Sequence, residues 1–551
     1  FFLFSCCIFM YYFSLSINPN VDGKQYLECY TQYVFLCFGK YLSNWLSFNG
    51  KTKVIKNEII KRFNLDILFL DTTPNFGHSV DFALEEIYKI IKCGKSLIFV
   101  NTRAQSELLF KNLFLNYPDL KIGIYHGSLS KKVRFETEKK IKENVINSVI
   151  STSSLEMGID WEDIDKIINI GAPKSVNKIL QRTGRSNHKY DKISRAILIP
   201  TNKFEYLECK AIQKLIYSKK FDSIDEKNGA KDVLCQHILL VACHSSFCPD
   251  YLFSTIKKTY PYRDLSKEVY SKILNFIHNG GYALQKYQNL KKLKKQQDGR
   301  YIIRDNKNKI NVLINAGTII NSFNFKIKTV KGKLLGTVEE SFLNTIKEKD
   351  IFIFAGMSLI CLKIKNDEII VDLKKRKTDK VPIYWGGSLP LKSNLSDEIL
   401  NLLSNQNYDF PEKIQNFLTK QKIESGLPSK NRILIEKFPF KQGEYIFIHT
   451  FCGRETNQTL VNLLIKFLNR KKVFTLNYIL NDYSFGLYFQ DETKITSQDF
   501  KVFFNFNFAN LVKLDTAIAR KIFKEVSMIS GLVKKNNCTL SFNKNYVNCD
   551  I

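Results

Sequence analysis

From about residue 90 the chain alternates short apolar runs with longer amphipathic ones, and the period of the pattern changes at every switch. "KSLIFV" (95–100) is a continuous apolar run of strand length. The stretch after it, "RAQSELLFKNLFLNY", repeats its apolar positions at helical spacing. "KIGIYH" (121–126), "NSVIST" (147–152), "DKIINIG" (165–171) and "SRAILIPT" (194–201) read as further strands, with helices over "SKKVRFETEKKIKENV" and from Ser175 onward. Apolar strands separated by helices of about 10–15 residues predict an α/β lobe, a parallel sheet with helices on both faces. In such sheets ligands bind at the carboxyl ends of the strands.

After about residue 215 the pattern changes. "KDVLCQHILLVAC", "PDYLFSTIKKTY" and "SKEVYSKILNFIH" read as three helices, and "GGYALQKY" and "RYIIRD" as a helix end and wing-like strands. Three helices followed by a hairpin predict a winged helix over 216–310. Residues 311–393 alternate as strands ("FNFKIKTV", "LLGTVEESF", "DIFIFAGMSLICLKIK") and predict a β-rich, barrel-like module. Residues 394–551 mix helical patterns with strands such as "NRILIEKF" and "EYIFIHTF" and predict an α+β region. The lobe is expected over 76–215, with 1–75 left unassigned.

Composition narrows the class. The 551 residues are 44% hydrophobic and 25% charged, with no low-complexity tract and no internal repeat. The formal charge of +30, from 83 Lys plus Arg against 53 Asp plus Glu, favours polyanionic partners, nucleic acid first. Overuse of Lys, Asn, Ile, Phe and Tyr, as an AT-rich genome produces, is the competing cause. Thirteen scattered cysteines suit a reducing, cytoplasmic compartment rather than a secreted scaffold. Cys235, His237, Cys243, His244 and Cys248 cluster without a CxxC on an apolar helix, so buried thiols are the default over zinc. The apolar residues 1–17 are short for a membrane span of about 20 residues and lack a basic leader, so no membrane role is expected. "KKLKK" (291–295) reads either as a solvated loop or as a contact to backbone phosphates.

Four polar strings sit at successive strand ends. "IFVNTRAQSE" (98–107) places Asn101, Thr102 and Arg103 where a strand opens a helix, a ready anion site. "YHGSLS" (125–130) brings His126 and Gly127, the glycine allowing close backbone approach. "STSSLEMGID" (151–160) adds Thr152, Ser153 and a turn at Gly158–Asp160. "LQRTGRSNH" (180–188) puts Gln181, Arg182, Arg185 and His188 on one helix end, as a solvated terminus or as a phosphate clamp. Each string alone reads as an N-cap, a turn or a helix end. In this order, on one sheet, they are far more specific.

The order resembles the second RecA-like motor domain of superfamily-two helicases. "STSSLEMGID", "GAPKSVNKILQRTGRSNH" and "ILIPTNKFEYLECKAI" are similar to the Lhr (large helicase-related) family, in particular its bacterial ligase-associated DEXH-box branch. The likeness continues through "DVLCQHIL", "GTVEESF", "FIFAGMSL", "VPIYWGGSLPL", "NDYSFGL" and "ARKIFKEVSMISGLV", covering about residues 75–535. It implies an ATP- and Mg2+-dependent, 3′-to-5′ translocase on single-stranded DNA that unwinds duplex or hybrid during DNA repair. A repair ligase and nucleases would be its partners. Arg185 would be the arginine finger, and Gln181, Arg182 and His188 would lie at the cleft between motor halves. Gly158 and Asp160 would couple nucleotide to the strand track, and Asn101, Thr102, Arg103, His126, Gly127, Thr152 and Ser153 would hold phosphates. Asn187 stands where the family has glycine.

The first motor half should carry GxxxxGK[ST] and a DExH box. "WLSFNGKT" (45–52) has Trp45 at the first glycine position, and "DEII" and "DEIL" lack the histidine. The expectation is therefore a helicase truncated at both ends and inactive by itself. A non-catalytic nucleic-acid-binding remnant and an RNA helicase are the competing readings. Trp385, one of three tryptophans with Trp45 and Trp161, lies in a Pro- and Gly-flanked loop. It is a candidate for stacking on a base, against an indole packed into the barrel wall.

Overall fold

In the computed structural model the apolar runs up to residue 199 form one six-stranded sheet. The residues described are 63–156, 164–186, 193–222, 228–280, 286–318, 324–339, 342, 346–355, 357–365, 368–374, 391–405, 410–440, 443–506 and 516–533. The strands are β1 (Phe63–Ile67), β2 (Ser96–Val100), β3 (Ile122–Tyr125), β4 (Ser148–Ser151), β5 (Lys166–Ile170) and β6 (Ser194–Ile199). Their order is β1-β6-β5-β2-β4-β3, and every pairing is parallel. Successive side chains point to opposite faces, so each strand feeds two cores. Ile98, Ile150, Ile168 and Ile170 pack with Ile87, Ile91, Leu109 and Leu113 of α1 (Leu84–Lys92) and α2 (Arg103–Asn116). Leu97, Phe99, Val149 and Ile167 pack on the other face. There they meet α3 (Lys131–Lys142), α4 (Val176–Thr183) and α5 (Lys203–Tyr217) through Ile141, Ile179, Leu207 and Ile212.

β1 lies in the region left unassigned by the sequence pattern. "FNLDI" alternates rather than running apolar, as suits an edge strand, and only the β6 side is paired.

The described residues divide into two compact units, 63–222 with 324–506, and 228–318 with 516–533. The second unit contains α6 (Lys231–His244), α7 (Pro249–Lys257) and α8 (Lys267–Asn279), then the hairpin β7 (Leu293–Lys295) and β8 (Tyr301–Ile303) and the helix α9 (Asn306–Asn315). Leu234, Ile238, Leu239, Ile273, Ile277 and Tyr301 close its core, with Cys235 and Cys243 buried among them. Three helices and a wing were expected; α9 was not, since the pattern from 311 had been read as strand. The helix α14 (Thr516–Ile529) belongs to the same unit: Gln236 Nε2 donates to Ile529 O at 3.0 Å and Asn315 Nδ2 to Val533 O at 2.7 Å.

In the first unit, β9 (Asn324–Thr329), β10 (Leu334–Glu339), β11 (Ile351–Phe354), β12 (Met357–Lys365) and β13 (Glu368–Leu373) form a five-stranded sheet ordered β10-β9-β13-β12-β11. It is bonded to the α/β lobe through Thr337 N to Ser128 O (2.8 Å) and Ser130 N to Leu335 O (2.9 Å). Gly336 permits this approach, because a Cβ there would fall 2.1 Å from Ser128 O. Beyond it, α10 (Ser393–Ser404) and α11 (Glu412–Glu424) precede β14 (Leu434–Phe440) and β15 (Gly443–His449). α12 (Arg454–Arg470), β16 (Asn477–Leu480), β17 (Ser484–Phe489) and α13 (Ser497–Phe504) complete the unit, with both helices packed on one face of the sheet β14-β15-β17-β16.

Candidate functional site

Strands β2, β4 and β3 are neighbours, so the loops leaving their carboxyl ends share one edge of the sheet. Thr102 caps α2 in extended conformation: its hydroxyl accepts from Gln105 N at 3.1 Å, and the Gln105 side chain accepts from Thr102 N at 3.1 Å. This capping box fixes the direction in which Arg103 leaves the strand. Arg103 Nη1 donates to Ser128 Oγ at 2.8 Å, tying the β2 loop to the β3 loop. Gly127 is exposed between them, and a Cβ there would lie 3.7 Å from Ser154 Oγ and 3.9 Å from Arg103 Nη2. Ser153 is exposed and Ser154 half-buried at the end of β4. Hydroxyls, a guanidinium and a glycine backbone thus converge, the chemistry that binds phosphates without reading bases.

Two expected members of this edge, His126 and Thr152, lie beneath it, and a third, Asn101, is half-buried and engaged. His126 is fully buried, with Nε2 2.9 Å from Glu107 Oε1, and the same oxygen accepts from Ala355 N at 2.7 Å. A side chain sealed in that way cannot touch a nucleic-acid strand; it joins the lobe to the five-stranded sheet. Thr152 is nearly buried, its hydroxyl 3.3 Å from Ser154 Oγ, so the neighbouring serines take its place at the surface. Asn101 Nδ2 donates to Ala172 O at 2.9 Å, strapping the β2 loop to the loop before α4. A Cβ at Gly171, which has φ +77°, would press within 2.8 Å of that nitrogen.

The helix α4 carries the arginine string. At its start Ser175 Oγ accepts from Lys178 N and donates to Asp222 Oδ2 at 2.6 Å, and Asp222 also accepts from Asn177 N at 3.0 Å. The free N–H groups of the first turn are thereby met. Just before it, Lys174 has φ +58°, and its Nζ lies 2.5 Å from Glu208 Oε1 and 2.9 Å from the Tyr483 hydroxyl. That hydroxyl donates to Glu208 in turn, and burial pushes the Glu208 carboxyl up from the ordinary range.

At the far end the two arginines part company. Arg182 is 1% exposed. Its Nε and Nη2 donate to Glu156 Oε1 at 2.9 and 2.7 Å, its Nη1 donates to Asn169 Oδ1 at 2.8 Å, and its guanidinium lies 4.7 Å over the Phe99 ring. Burial lowers its pKa below the usual arginine value, and the adjacent Glu156 carboxylate works against that fall. With all three guanidinium nitrogens bonded and the side chain buried, Arg182 is a positioning residue rather than one that faces the cleft, which corrects the expectation. Arg185 is only half-buried and donates from Nη2 to the backbone oxygen of Glu156 at 2.7 Å. Gln181 is half-buried on the same helix. Gly158, Asp160, His188 and Trp385 lie outside the described residues.

Glu156, Asn169 and Phe99 were missed as functional partners. Glu156 stood inside the string "STSSLEMGID", and a carboxylate there, ahead of a helix end with two arginines, was the available signal.

Comparison with known proteins places this geometry. Residues 78–188 match the helicase conserved C-terminal domain, 214–381 the winged helix domain of large helicase-related protein, and 427–541 the DEAD/H associated domain. The chain belongs to the Lhr helicase family. The ATP-dependent helicase Lhr-Core of Methanocaldococcus jannaschii is 30% identical to this Lhr chain over 443 residues, 77% of the chain and 52% of the relative. Lhr-Core protein 2 of Thermococcus barophilus is 27% identical over 482 residues, 83% of the chain and 55% of the relative. The Lhr chain thus spans about half the length of these relatives. Its fold matches that of the Mycobacterium smegmatis helicase Lhr bound to ssDNA and AMP-PNP, with a TM-score of 0.66 at 19% identity, over 89% of this chain and 63% of that one. These matches bear on the family as a whole rather than on its ligase-associated branch.

Proposed function

We propose that this chain supplies the arginine-bearing motor lobe and the nucleic-acid-binding modules of an ATP-dependent DNA helicase. It would track single-stranded DNA from 3′ to 5′ and open duplex or hybrid in repair. The observation that carries the reading is the placing of Arg185: partly open at the sheet's carboxyl edge, and held by a backbone that Arg182 and Glu156 fix from below. Such a guanidinium can meet charge developing on a transferring phosphoryl group, while the β2, β3 and β4 loops hold strand phosphates. ATP with Mg2+ would supply the free energy. The residues here that fit it are Arg185 and Gln181, one side of a site whose phosphate-loop motif GxxxxGK[ST] this sequence does not contain. Hydrolysis by these 551 residues alone is therefore not expected. A repair ligase and nucleases are the partners that the ligase-associated resemblance implies.

Strand binding by the full chain tests the reading. Affinity for a labelled single strand should fall steeply with salt, with a log–log slope of about 0.7 per phosphate neutralised. Arg103→Ala should lower that slope by about 0.7 and weaken all sequences alike. A flat salt dependence contradicts the reading, and a marked preference for RNA over DNA of the same sequence shifts it to an RNA helicase.

A further inference from the structure

The string "KKLKK" finds no role at the sheet edge, and its surroundings in the winged-helix unit give it one. A cleft of about 600 Å³ opens there. His278 and Asn279 line it from the end of α8, Lys291, Lys294 and Lys295 from the approach to the wing and its first strand, and Arg304 from just past the second. We propose that this cleft is a second nucleic-acid site, one that takes backbone phosphates on the wing; it rests on the nucleic-acid part of the reading above.

The hairpin is fastened so that its cations converge. Lys292 N donates to Ile277 O at 3.0 Å, fixing the start of the wing to α8, and Arg304 N donates to Lys292 O at 2.9 Å, closing the end of the wing onto its start. His278 Nδ1 lies 3.1 Å from Leu293 O, so it is the donor, and Nε2 remains for the cleft. The Arg304 guanidinium donates to Gln288 Oε1 at 3.2 Å, which directs the fork. Beside Gln288, Tyr287 is 58% exposed and offers a ring on which a base can stack.

Charge decides what the cleft takes. Among the described residues no carboxylate lines it, and Lys291, Lys294, Lys295 and Arg304 have no ion-pair partner there. The acid beside Arg304 in the chain, Asp305, acts on Lys292, and its carboxylate is engaged by Asn308 at the start of α9. The nearby Arg300, by contrast, stands 3.6 Å from Asp298. Like charges gathered without counter-charge repel one another, and a polyanion removes that cost while releasing its own counterions.

The test uses the full chain, a labelled oligothymidylate and a labelled blunt duplex. Lys291→Gln with Lys294→Gln and Arg304→Gln should weaken at least one probe by about ten-fold or more near 0.1 M salt, and lower the log–log slope by about two to three. Loss on the oligothymidylate assigns the site to single strands, and loss on the duplex to paired backbone. Lys294→Gln with Arg304→Gln, both at exposed positions, should show a smaller loss of the same kind at unchanged melting temperature. Lys257→Gln with Lys258→Gln and Lys272→Gln removes equal charge elsewhere in the unit and should stay within about two-fold. The proposal is overturned by a wing variant that binds both probes like the parent, or by a control that loses as much. If the parent binds neither probe, the nucleic-acid reading falls with it; if the parent binds and the wing variant is indifferent, only the wing site falls.

Discussion

"QRTGR" and "KKLKK" are both short basic strings, and the fold treats them in opposite ways. In the α/β lobe Arg182 is drawn into the interior and surrounded by Glu156, Asn169 and Phe99. On the wing Lys294, Lys295 and Arg304 stay exposed around a cleft with no acidic wall. A buried cation is costly unless its hydrogen bonds are met, so the first arrangement is built for rigidity. An exposed, uncompensated cluster contributes little to stability and is free to bind an anion. The sign of the charge does not distinguish the two; the partner groups do.

Removing one partner from each region breaks the comparison if it is wrong. Arg182→Ala leaves the Glu156 carboxylate buried without its cation, and should destabilise the full chain by about 3–5 kcal/mol in denaturant unfolding followed on the first unit. Arg182→Met together with Glu156→Gln should recover much of that loss, since neither buried charge then remains. A cost for Arg182→Ala below about 1 kcal/mol would mean that water screens the pair. Lys294→Gln, as an exposed substitution, should stay within about 0.5 kcal/mol of the parent.

A smaller effect comes from a pair at the edge of the same lobe. His78 Nδ1 lies 3.2 Å from Glu205 Oε1. The hydrogen bond to Glu205 raises the His78 pKa above 6.5, burial opposing it. A histidine raised on folding stabilises the folded state below its unfolded value, and that contribution is lost as pH rises through the folded value. Because the side chain is 68% exposed, the change should amount to only about a few tenths of a kcal/mol. Melting temperatures measured from pH 6 upward should show that small decline (about the histidine range), and His78→Gln should flatten it. A rise in stability over the same interval would reverse the sign assigned here.

The parallel sheet was legible because its strands run apolar without interruption: all five residues of Ser96–Val100 are buried, and a doubly covered strand leaves no polar alternation. Helix α9 was not legible, because its burial contradicts its residue types. Asn308 and Asn315 are buried, while Ile310, Leu313 and Ile314 are exposed. The attachment of α14 was also hidden, since Gln236 and Ile529 are far apart in the chain and meet through one amide. At the candidate site the strand ends carrying Thr102, Arg103 and Gly127 were readable from order alone. The burial of Arg182, Thr152 and His126 was not, because it depends on Glu156, Ser154 and Glu107, which only the folded sheet brings near.

The central claim is that two arginines three residues apart divide the work, one holding the helix end and the other acting on phosphate. With this lobe joined to a lobe that carries a phosphate loop, the turnover rate of DNA-stimulated ATP hydrolysis tests it most directly. Arg185→Ala should lower kcat by about a thousand-fold at unchanged melting temperature, whereas Arg182→Ala should show its loss first as a lowered melting temperature. If Arg185→Ala instead costs less than about ten-fold in kcat, Arg185 is not the finger and the motor-lobe account fails.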